Sequence, residues 1–547
     1  DPPYNTGNDF VYEDDFAQSA ADYMDNSGQY DEEGNRMVTN TESNGRFHTD
    51  WLNMIYPRLK IAKDLLTDDG AIFISIDDNE CANLLKICAE VFGESNFIAD
   101  ISWQRTYSTR NDSQGIVHEV EHIVAYGKQT GWNPAKLPRT EEMDSKYKSP
   151  DGDSVPWTSD NPFAPGAATH QGMVYAIQHP FTGEMIYPSD SACWRYQQHE
   201  MLKIMQGWCP YELKNLNDEE KRANVCGIST NQVRPDVKGI VLSLPFEESK
   251  KLARKVYDKG PWPRFYFTKG SLGGIRRKTY LDSVGGKLPT NFWSYSEVGH
   301  TDEAKKEVKA LFGGTAPFDT PKPTRLLERI LTIATEKDSY VLDFFSGSAT
   351  TAHAVMKKNM EDDGNRKYIL VQLPEKSNSP QYATLCGIGK ERIRRAGKKI
   401  KEDAGLTVLA DLDIGFRCLR LDESNMKPVY YTPDEVGQQD LFSSVDNVKE
   451  DRTPEDLLFQ VMLDLGVLLS SSIEVKEIAG KKVFNVADGF LLACFDHDVT
   501  EETVKAIAQM KPYYAVFRDS SMANDSVATN FEQVFETYSP DTVRKVL

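Results

Sequence analysis

Hydrophobic and polar positions change period along the chain, and the changes mark its elements. In "FHTDWLNMIYPRLKIAKDLLTDDG" (47–70) apolar residues recur at helical spacing, with Gly70 as a C-terminal stop. "AIFISI" (71–76) is a continuous apolar run of strand length, the pattern of a buried parallel strand. "NECANLLKICAEVFG" predicts the next helix, and "NFIADISW" and "VEHIVAYG" two more strands. Such alternation predicts a doubly wound α/β sheet. From about Trp132 to Asn291 the periodicity fades into turn-rich, aromatic, proline-containing sequence, which reads as an inserted domain. Regularity returns with the helix "TPKPTRLLERILTIAT", then strand, glycine turn and helix in "SYVLDFFSGSATTAHAVMKKNM", then the strand "KYILVQL", a βαβ unit. The basic helix "LCGIGKERIRRAGKKIKED" and a strand "FRCLRL" follow, then a polar, acidic linker over about 423–449. In the last module, "RTPEDLLFQVMLDLGVLL" predicts a helix with Thr453 as N-cap and Pro454 at its first position, and "KKVFNV" and "GFLLACF" predict strands of a small α+β domain.

At 547 residues and 39% hydrophobic composition the chain is long enough for two or three domains. No apolar run reaches the roughly eighteen residues of a membrane span, and no leader pattern opens the sequence; a soluble, cytoplasmic protein is expected. Eight cysteines without a CxxC pair and nine histidines without HExxH spacing imply no metal. Asp77, Asp78 and Glu80 in "IDDNE" read as a helix cap. The net charge of −20 argues against a polyanionic partner until its distribution is considered. Between Lys250 and Lys287 eleven lysines and arginines stand against two aspartates, interleaved with Trp262, Phe265, Tyr266, Phe267 and Tyr280. Basic charge with aromatics and glycines suits nucleic acid, and Lys269, Arg276, Arg277 and Lys278 are its candidate contacts.

Two motifs carry chemistry. "DPPY" occupies residues 1–4, and "VLDFFSGSATTAHAV" has the form of a cofactor turn: Asp343 closes a strand, Gly347 lets backbone approach a ligand, and a helix N-terminus follows. Neither GxGxxG nor GxxxxGK[ST] is present, so pyrophosphate binding is not the first reading. In this order the motifs resemble the β-class amino-methyltransferases of DNA, whose catalytic motif precedes a target-recognition insertion and whose FxGxG-like cofactor motif comes last. "DPPYNTGNDFVYEDDF", "LLTDDGAIFISIDDNE", "FGESNFIADISWQR", "HEVEHIVAYGK", "TPKPTRLLERIL", "YILVQLPEK" and "FRCLRLDESN", together with the tail "RTPEDLLFQVMLDLGVLL", narrow the resemblance to the modification subunits of type III restriction-modification systems.

The resemblance implies a Rossmann-like methyltransferase sheet in two parts, 1–131 and 292–424, a DNA-recognition insert at 132–291 and a C-terminal domain for assembly or partner contact at 425–547. It implies transfer of a methyl group from S-adenosyl-L-methionine to adenine N6 of a base flipped out of double-stranded DNA, by a homodimer working with an ATP-dependent restriction subunit in a bacterial or phage-infected cell. The adenine amine is a poor nucleophile because its lone pair is delocalised into the ring. The Asp1 carboxylate and the Pro2 carbonyl, in a motif completed by Pro3, would accept hydrogen bonds from it, and the Tyr4 ring would stack on the base. Phe345 and Gly347 match the family's FxG, with Ser348 in place of the second glycine. Lys322 and Pro323 match its KP element, where the cation would meet the cofactor's carboxylate, and Gln372 falls where relatives carry an acid for the ribose hydroxyls. Two other readings stand beside this one: a DNA-recognition or assembly subunit without activity, or an N-terminally truncated piece of an enzyme; and an amino-methyltransferase acting on cytosine N4, RNA or protein. The motif's place at residue 1 is expected to reflect a missing upstream segment.

Overall fold

The computed structural model describes residues 1–6, 47–107, 116–405, 412–427, 448–518, 522–523 and 525–547. The chain divides into two compact units, Asp1–Gly415 and Phe416–Leu547.

In the first unit helix α1 (Phe47–Leu65) leads into strand β1 (Ala71–Ile76), then α2 (Cys81–Phe92), β2 (Phe97–Gln104) and β3 (Val120–Gly127). β3 lies between β1 and β2 and is antiparallel to both. Helices cover both faces of this sheet. Trp51, Met54, Ile55 and Leu59 of α1 and Leu84, Cys88 and Val91 of α2 bury Ile74, Ile76, Val124 and Tyr126 on one side. On the other, Ile101, Trp103 and Ile123 pack with Leu326 and Ile333, and Phe73 of β1 joins them. The continuous apolar run of β1 thus reflects burial on two faces, as expected, but its ladder is antiparallel: apolarity reports what covers a strand and is silent about the direction of its neighbour.

After β3 the chain leaves the sheet and rejoins it at Phe292–Trp293, paired parallel to β2. The residues between build sheets of their own. One holds β4 (Trp157–Asp160), β5 (Phe265–Phe267) and β6 (Ile275–Tyr280), with β6 central and antiparallel to both neighbours; helix α3 (Phe246–Lys259) lies between β4 and β5 in the chain. Their core is aromatic: Trp157, Tyr175, Trp194, Trp208, Phe265, Tyr266 and Phe267 are buried together.

Helices α4 (Thr301–Leu311) and α5 (Thr324–Ala334) follow, then β7 (Tyr340–Asp343), α6 (Thr350–Asp362), β8 (Lys367–Leu370) and α7 (Leu385–Ala404). β7 and β8 are parallel, the βαβ unit expected from the sequence. Leu331 of α5 meets Ala354 and Val355 of α6 between the helices and this pair, with Val341 and Tyr368 packed against them.

In the second unit α8 (Pro454–Asp464) has the expected Thr453 cap, closed by a reciprocal bond from Asp456. A single five-stranded sheet follows, β9 (Ile473–Ile478), β10 (Lys481–Val486), β11 (Leu491–Cys494), β12 (Tyr514–Phe517) and β13 (Val543–Val546). Its first three strands are antiparallel and its last three parallel, joined by helices α9 (Glu501–Gln509) and α10 (Asp525–Tyr538). The small domain is therefore a mixed sheet whose parallel strands are joined by helical crossovers. "FRCLRL" (416–421) is not a strand. It alternates in composition, but Arg417 reaches to the carbonyls of Leu469 and Ser471 instead of joining a ladder.

Candidate functional site

The DPPY residues lie against the sheet, and side chains from three elements hold them. Trp51 of α1 donates its indole N–H to the Pro3 carbonyl at 2.8 Å. Tyr4 packs against the core that α1 and α2 form with the sheet, and its hydroxyl donates to Glu121 Oε2 of β3 at 3.0 Å. Asn5, with φ of 60°, is buried, and its amide donates to Glu80 Oε1 at 2.5 Å and to the Phe47 carbonyl at 3.3 Å. Glu80 is itself fully buried and also takes hydrogen bonds from Asn83, at 2.8 Å, and from His48, at 2.6 Å. "IDDNE" is thus more than the helix cap expected of it: Glu80 makes no capping bond and anchors the residue after the motif.

Lys322 crosses from the segment before α5 into this pocket. Its Nζ lies 3.1 Å from Asp1 Oδ1 and 3.3 Å from Glu121 Oε2, donates to the Tyr4 hydroxyl at 2.6 Å, and sits 4.8 Å from the centre of the Tyr4 ring. Arg105 holds the other oxygen of Glu121 at 2.9 Å. Two carboxylates and two cations therefore interlock, with Glu121 and Lys322 largely covered and Asp1 and Arg105 open to solvent. Burial pulls the Lys322 ammonium below its usual range against the upward pull of Glu121. Burial first, and then Glu121, push the Tyr4 hydroxyl well above its own. Expected to reach a cofactor's carboxylate, Lys322 is found against the DPPY residues, where the buried Glu121 and the exposed Asp1 offer it countercharge. Glu121, Arg105 and Glu80 had no signal in the sequence beyond being charged residues at strand and helix ends.

The glycine turn lies at the carboxyl end of β7. Asp343 accepts the Phe345 N–H at 3.2 Å and the Thr351 hydroxyl at 2.6 Å, tying strand to helix across the turn. Gly347 has φ of +48°, a left-handed conformation that calls for glycine, and a Cβ there would press on Phe318 Cζ at 3.3 Å. Gln372, just beyond β8, accepts the Gly347 N–H through Oε1 at 2.8 Å; the residue expected at a ribose is engaged in bracing the turn. Ser348 is buried and accepts from Arg392 of α7 at 2.8 Å, which also donates to Thr350 at 2.7 Å. The second glycine of the FxGxG pattern falls not at Ser348, as expected, but at Ala349, which keeps the left-handed backbone of a glycine at φ of 61°, while Ser348 is matched by a fully buried arginine. Nε and Nη2 of Arg392 have no hydrogen-bond partner, and burial brings its guanidinium down to about 10. Pro323 precedes α5 as its cap residue. Phe345 packs against the same core as Tyr4, so the motif at the chain's start and the turn near residue 345 meet at one place.

The four basic candidates of the insert separate. Lys269 is exposed at the turn between β5 and β6, and Arg276 is exposed on β6. Arg277 is paired with Asp160 of β4. Lys278 is fully buried: its Nζ is held by Asp151, by Asp153 at 2.8 Å and by the Trp262 carbonyl at 2.8 Å, so it cannot meet a phosphate. Phe265, Tyr266 and Phe267 are core residues rather than a stacking platform. Because β6 is the central strand of its sheet, one short basic run sends charge both into solvent and into the interior.

Among the described residues no helix is long and apolar enough to cross a membrane. Residues 1–377 match the family model described as DNA methylase (N6_N4_Mtase). The chain is 33% identical over 457 residues to the Mod subunit of the type III restriction-modification enzyme StyLTI of Salmonella typhimurium, covering 81% of this chain and 58% of that protein. It is 30% identical over 535 residues to the EcoP15I Mod subunit of Escherichia coli, covering 93% of this chain and 73% of that one. A solved structure titled PvuII DNA methyltransferase (cytosine-N4-specific) aligns over 65% of this chain and 80% of its own at 12% identity and a TM-score of 0.27. The chain belongs to the N6_N4_Mtase family of DNA methylases and, within it, to the group of type III restriction-modification Mod subunits.

Proposed function

We propose that this chain is the site-specific DNA adenine-N6 methyltransferase subunit of a type III restriction-modification system, with a Rossmann-like sheet, S-adenosyl-L-methionine as methyl donor, and a restriction subunit as the partner that cleaves DNA in the bacterial cytoplasm. The observation that carries the reading is the convergence of Tyr4 and Phe345 on one core, which puts a carboxylate and an aromatic ring beside a glycine turn built for close backbone approach.

The turn suits the donor. Gly347 holds a left-handed backbone with Phe318 close above it, Phe345 offers an aromatic face to a sulfonium, and Asp343 and Gln372 hold the loop's shape. When bound, S-adenosyl-L-methionine supplies the electrophilic methyl group. The chain's part is positioning. Asp1 Oδ1, now in contact with Lys322, is an acceptor that the adenine amine would take over, and the Pro2 carbonyl offers a second, so that the nitrogen lone pair turns out of the ring. The Tyr4 ring supports the extracted base, a contact worth about 1–3 kcal/mol. Lys322 yields Asp1 to the amine while Glu121 and the Tyr4 hydroxyl keep it in place. Recognition falls to the 132–291 insert, with Lys269 and Arg276 as its phosphate contacts.

Labelled-methyl transfer to duplex DNA, followed by nucleoside analysis, tests this. N6-methyladenine at one short sequence is expected, with Asp1→Ala retaining cofactor and DNA binding while losing transfer. Methylcytosine as product, or full transfer by Asp1→Ala, overturns it.

A further inference from the structure

Next to the residues that hold the catalytic motif lies a second cluster. Asp78 follows β1, Cys81 opens α2, Asp100 lies on β2 and His122 on β3. The thiol of Cys81, a carboxylate oxygen of Asp100 and a ring nitrogen of His122 all lie within 4.8 Å of one another. The imidazole is clamped edge to edge: Nδ1 faces Asp100 Oδ1 at 2.9 Å and Nε2 faces Asp78 Oδ1 at 3.1 Å. The second oxygen of Asp78 meets His118 Nδ1 at 2.6 Å. Cys81 is buried, and His122 and Asp100 are half-buried, so the cluster is shielded without being sealed.

We infer that Cys81, Asp100 and His122 form a binding site for one zinc-class divalent transition-metal ion. The donor set is one soft sulfur, one imidazole and one carboxylate, which favours zinc and its neighbours and is foreign to magnesium and calcium. Ligand bonds of about 2.0–2.3 Å put tetrahedral donor atoms about 3.3–3.8 Å apart, so a cluster spanning 4.8 Å needs only a small contraction to close around an ion. Asp78 supplies what such a histidine requires. By accepting the Nε2–H it fixes the tautomer and turns the Nδ1 lone pair toward Asp100 and Cys81, the carboxylate–histidine–metal relay of known sites. Binding expels the thiol proton to solvent, and three protein ligands leave a fourth position for water. No cysteine or histidine spacing announces the site, because its ligands come from three separate elements.

Its place gives the ion a task. Cys81 follows Glu80, which anchors Asn5, and His122 follows Glu121, which holds Tyr4 and Lys322. A metal joining them clips the start of α2 to β2 and β3 directly beside the groups that hold the motif.

The test uses the full chain, stripped with chelator and titrated with Co2+ and then Zn2+ alone. One equivalent of Co2+ is expected to bind with the intense visible bands of tetrahedral coordination and a thiolate charge-transfer band, all abolished by Zn2+. Cys81→Ser should remove the charge-transfer band, and His122→Gln should remove stoichiometric binding. Zinc should raise the unfolding midpoint of the wild-type chain and leave that of His122→Gln unmoved. Should either variant fail to fold, zinc-edge absorption of the wild-type protein decides: a shell of one sulfur with nitrogen and oxygen supports the site, and a shell without sulfur overturns it. Absence of stoichiometric binding, or a charge-transfer band that survives Cys81→Ser, also overturns it and leaves His122 an imidazolium bridging two aspartates.

Discussion

Replacing Lys278 with methionine keeps the length of the side chain and removes its charge. The ammonium is wholly inside the insert, where it serves Asp151, Asp153 and the Trp262 carbonyl and lies 5.0 Å from the centre of the Trp157 ring. Without it Asp151, whose side chain has no exposed surface, keeps only the Trp157 indole and the Trp262 N–H, each at 2.8 Å, as donors. Removing one partner of a buried ion pair costs about 3–5 kcal/mol, because the remaining charge has lost its compensation. That is a shift of about two to three and a half orders of magnitude in the unfolding equilibrium. The loss should depend on pH. Burial raises the Asp151 carboxyl, but bonds from Lys278, Trp157 and Trp262 outweigh it and hold the group below its ordinary value. Its folded value lies below the unfolded one of about 3.9, so its stabilisation is present above that pH and is lost as the pH falls through the folded value. In Lys278→Met the carboxyl loses part of that downward pull while its burial remains, so it takes up a proton at higher pH than in the wild type, and the difference in stability should narrow on acidification and be widest at neutrality. Denaturant titration of the full chain, followed by tryptophan fluorescence, measures this, with Asp151→Asn closing a double-mutant cycle. A loss under about 1 kcal/mol at pH 7, or weaker DNA binding by a fully folded variant, would refute the assignment of Lys278 to the core.

Arg276→Glu and Lys269→Glu should leave stability within about 0.5 kcal/mol of wild type and flatten the salt dependence of DNA binding by a slope of about 0.9 for each phosphate no longer neutralised; an unchanged slope returns both residues to a solvated face. Gly347→Ala should cost about 1–2 kcal/mol from its left-handed backbone alone and weaken S-adenosyl-L-methionine binding in calorimetry, and full-strength binding would remove the turn from the site. Arg392→Met discards two buried groups that have no partner, so thermal unfolding should show no loss of stability, while Ser348 and Thr350 lose their donor and cofactor affinity falls.

The elements that were readable in the sequence are those whose reason lies within their own residues. "AIFISI" is apolar but for Ser75 because both its faces are covered, and Thr453 followed by Pro454 starts a helix with atoms only a few residues apart. The two motifs were readable because a left-handed glycine and a run of two prolines are constraints written into residue type. What stayed hidden depends on partners far away in the chain. "IRRK" reads as uniform positive charge, yet the neighbours of β6 decide that Arg276 faces water while Lys278 closes on Asp151. Glu121 and Glu80 are ordinary acids until folding brings Lys322, Tyr4 and Asn5 to them. "FRCLRL" has the composition of a strand and is not one, because Arg417 is drawn to the carbonyls of Leu469 and Ser471, some fifty residues away, which no local pattern can announce.

Asn5 sets a narrow substitution spectrum at the position after DPPY. The left-handed backbone there tolerates glycine, asparagine and aspartate and penalises other residues by about 1–2 kcal/mol. Glycine meets the backbone demand and takes one donor away from the buried Glu80; aspartate meets it and sets two buried carboxylates face to face. Only asparagine satisfies both, so a saturation library selected for folded protein should rank asparagine first, glycine second, aspartate well behind, and valine or isoleucine last. The motif is in this sense a five-residue word whose final letter is chosen by a glutamate on α2's threshold.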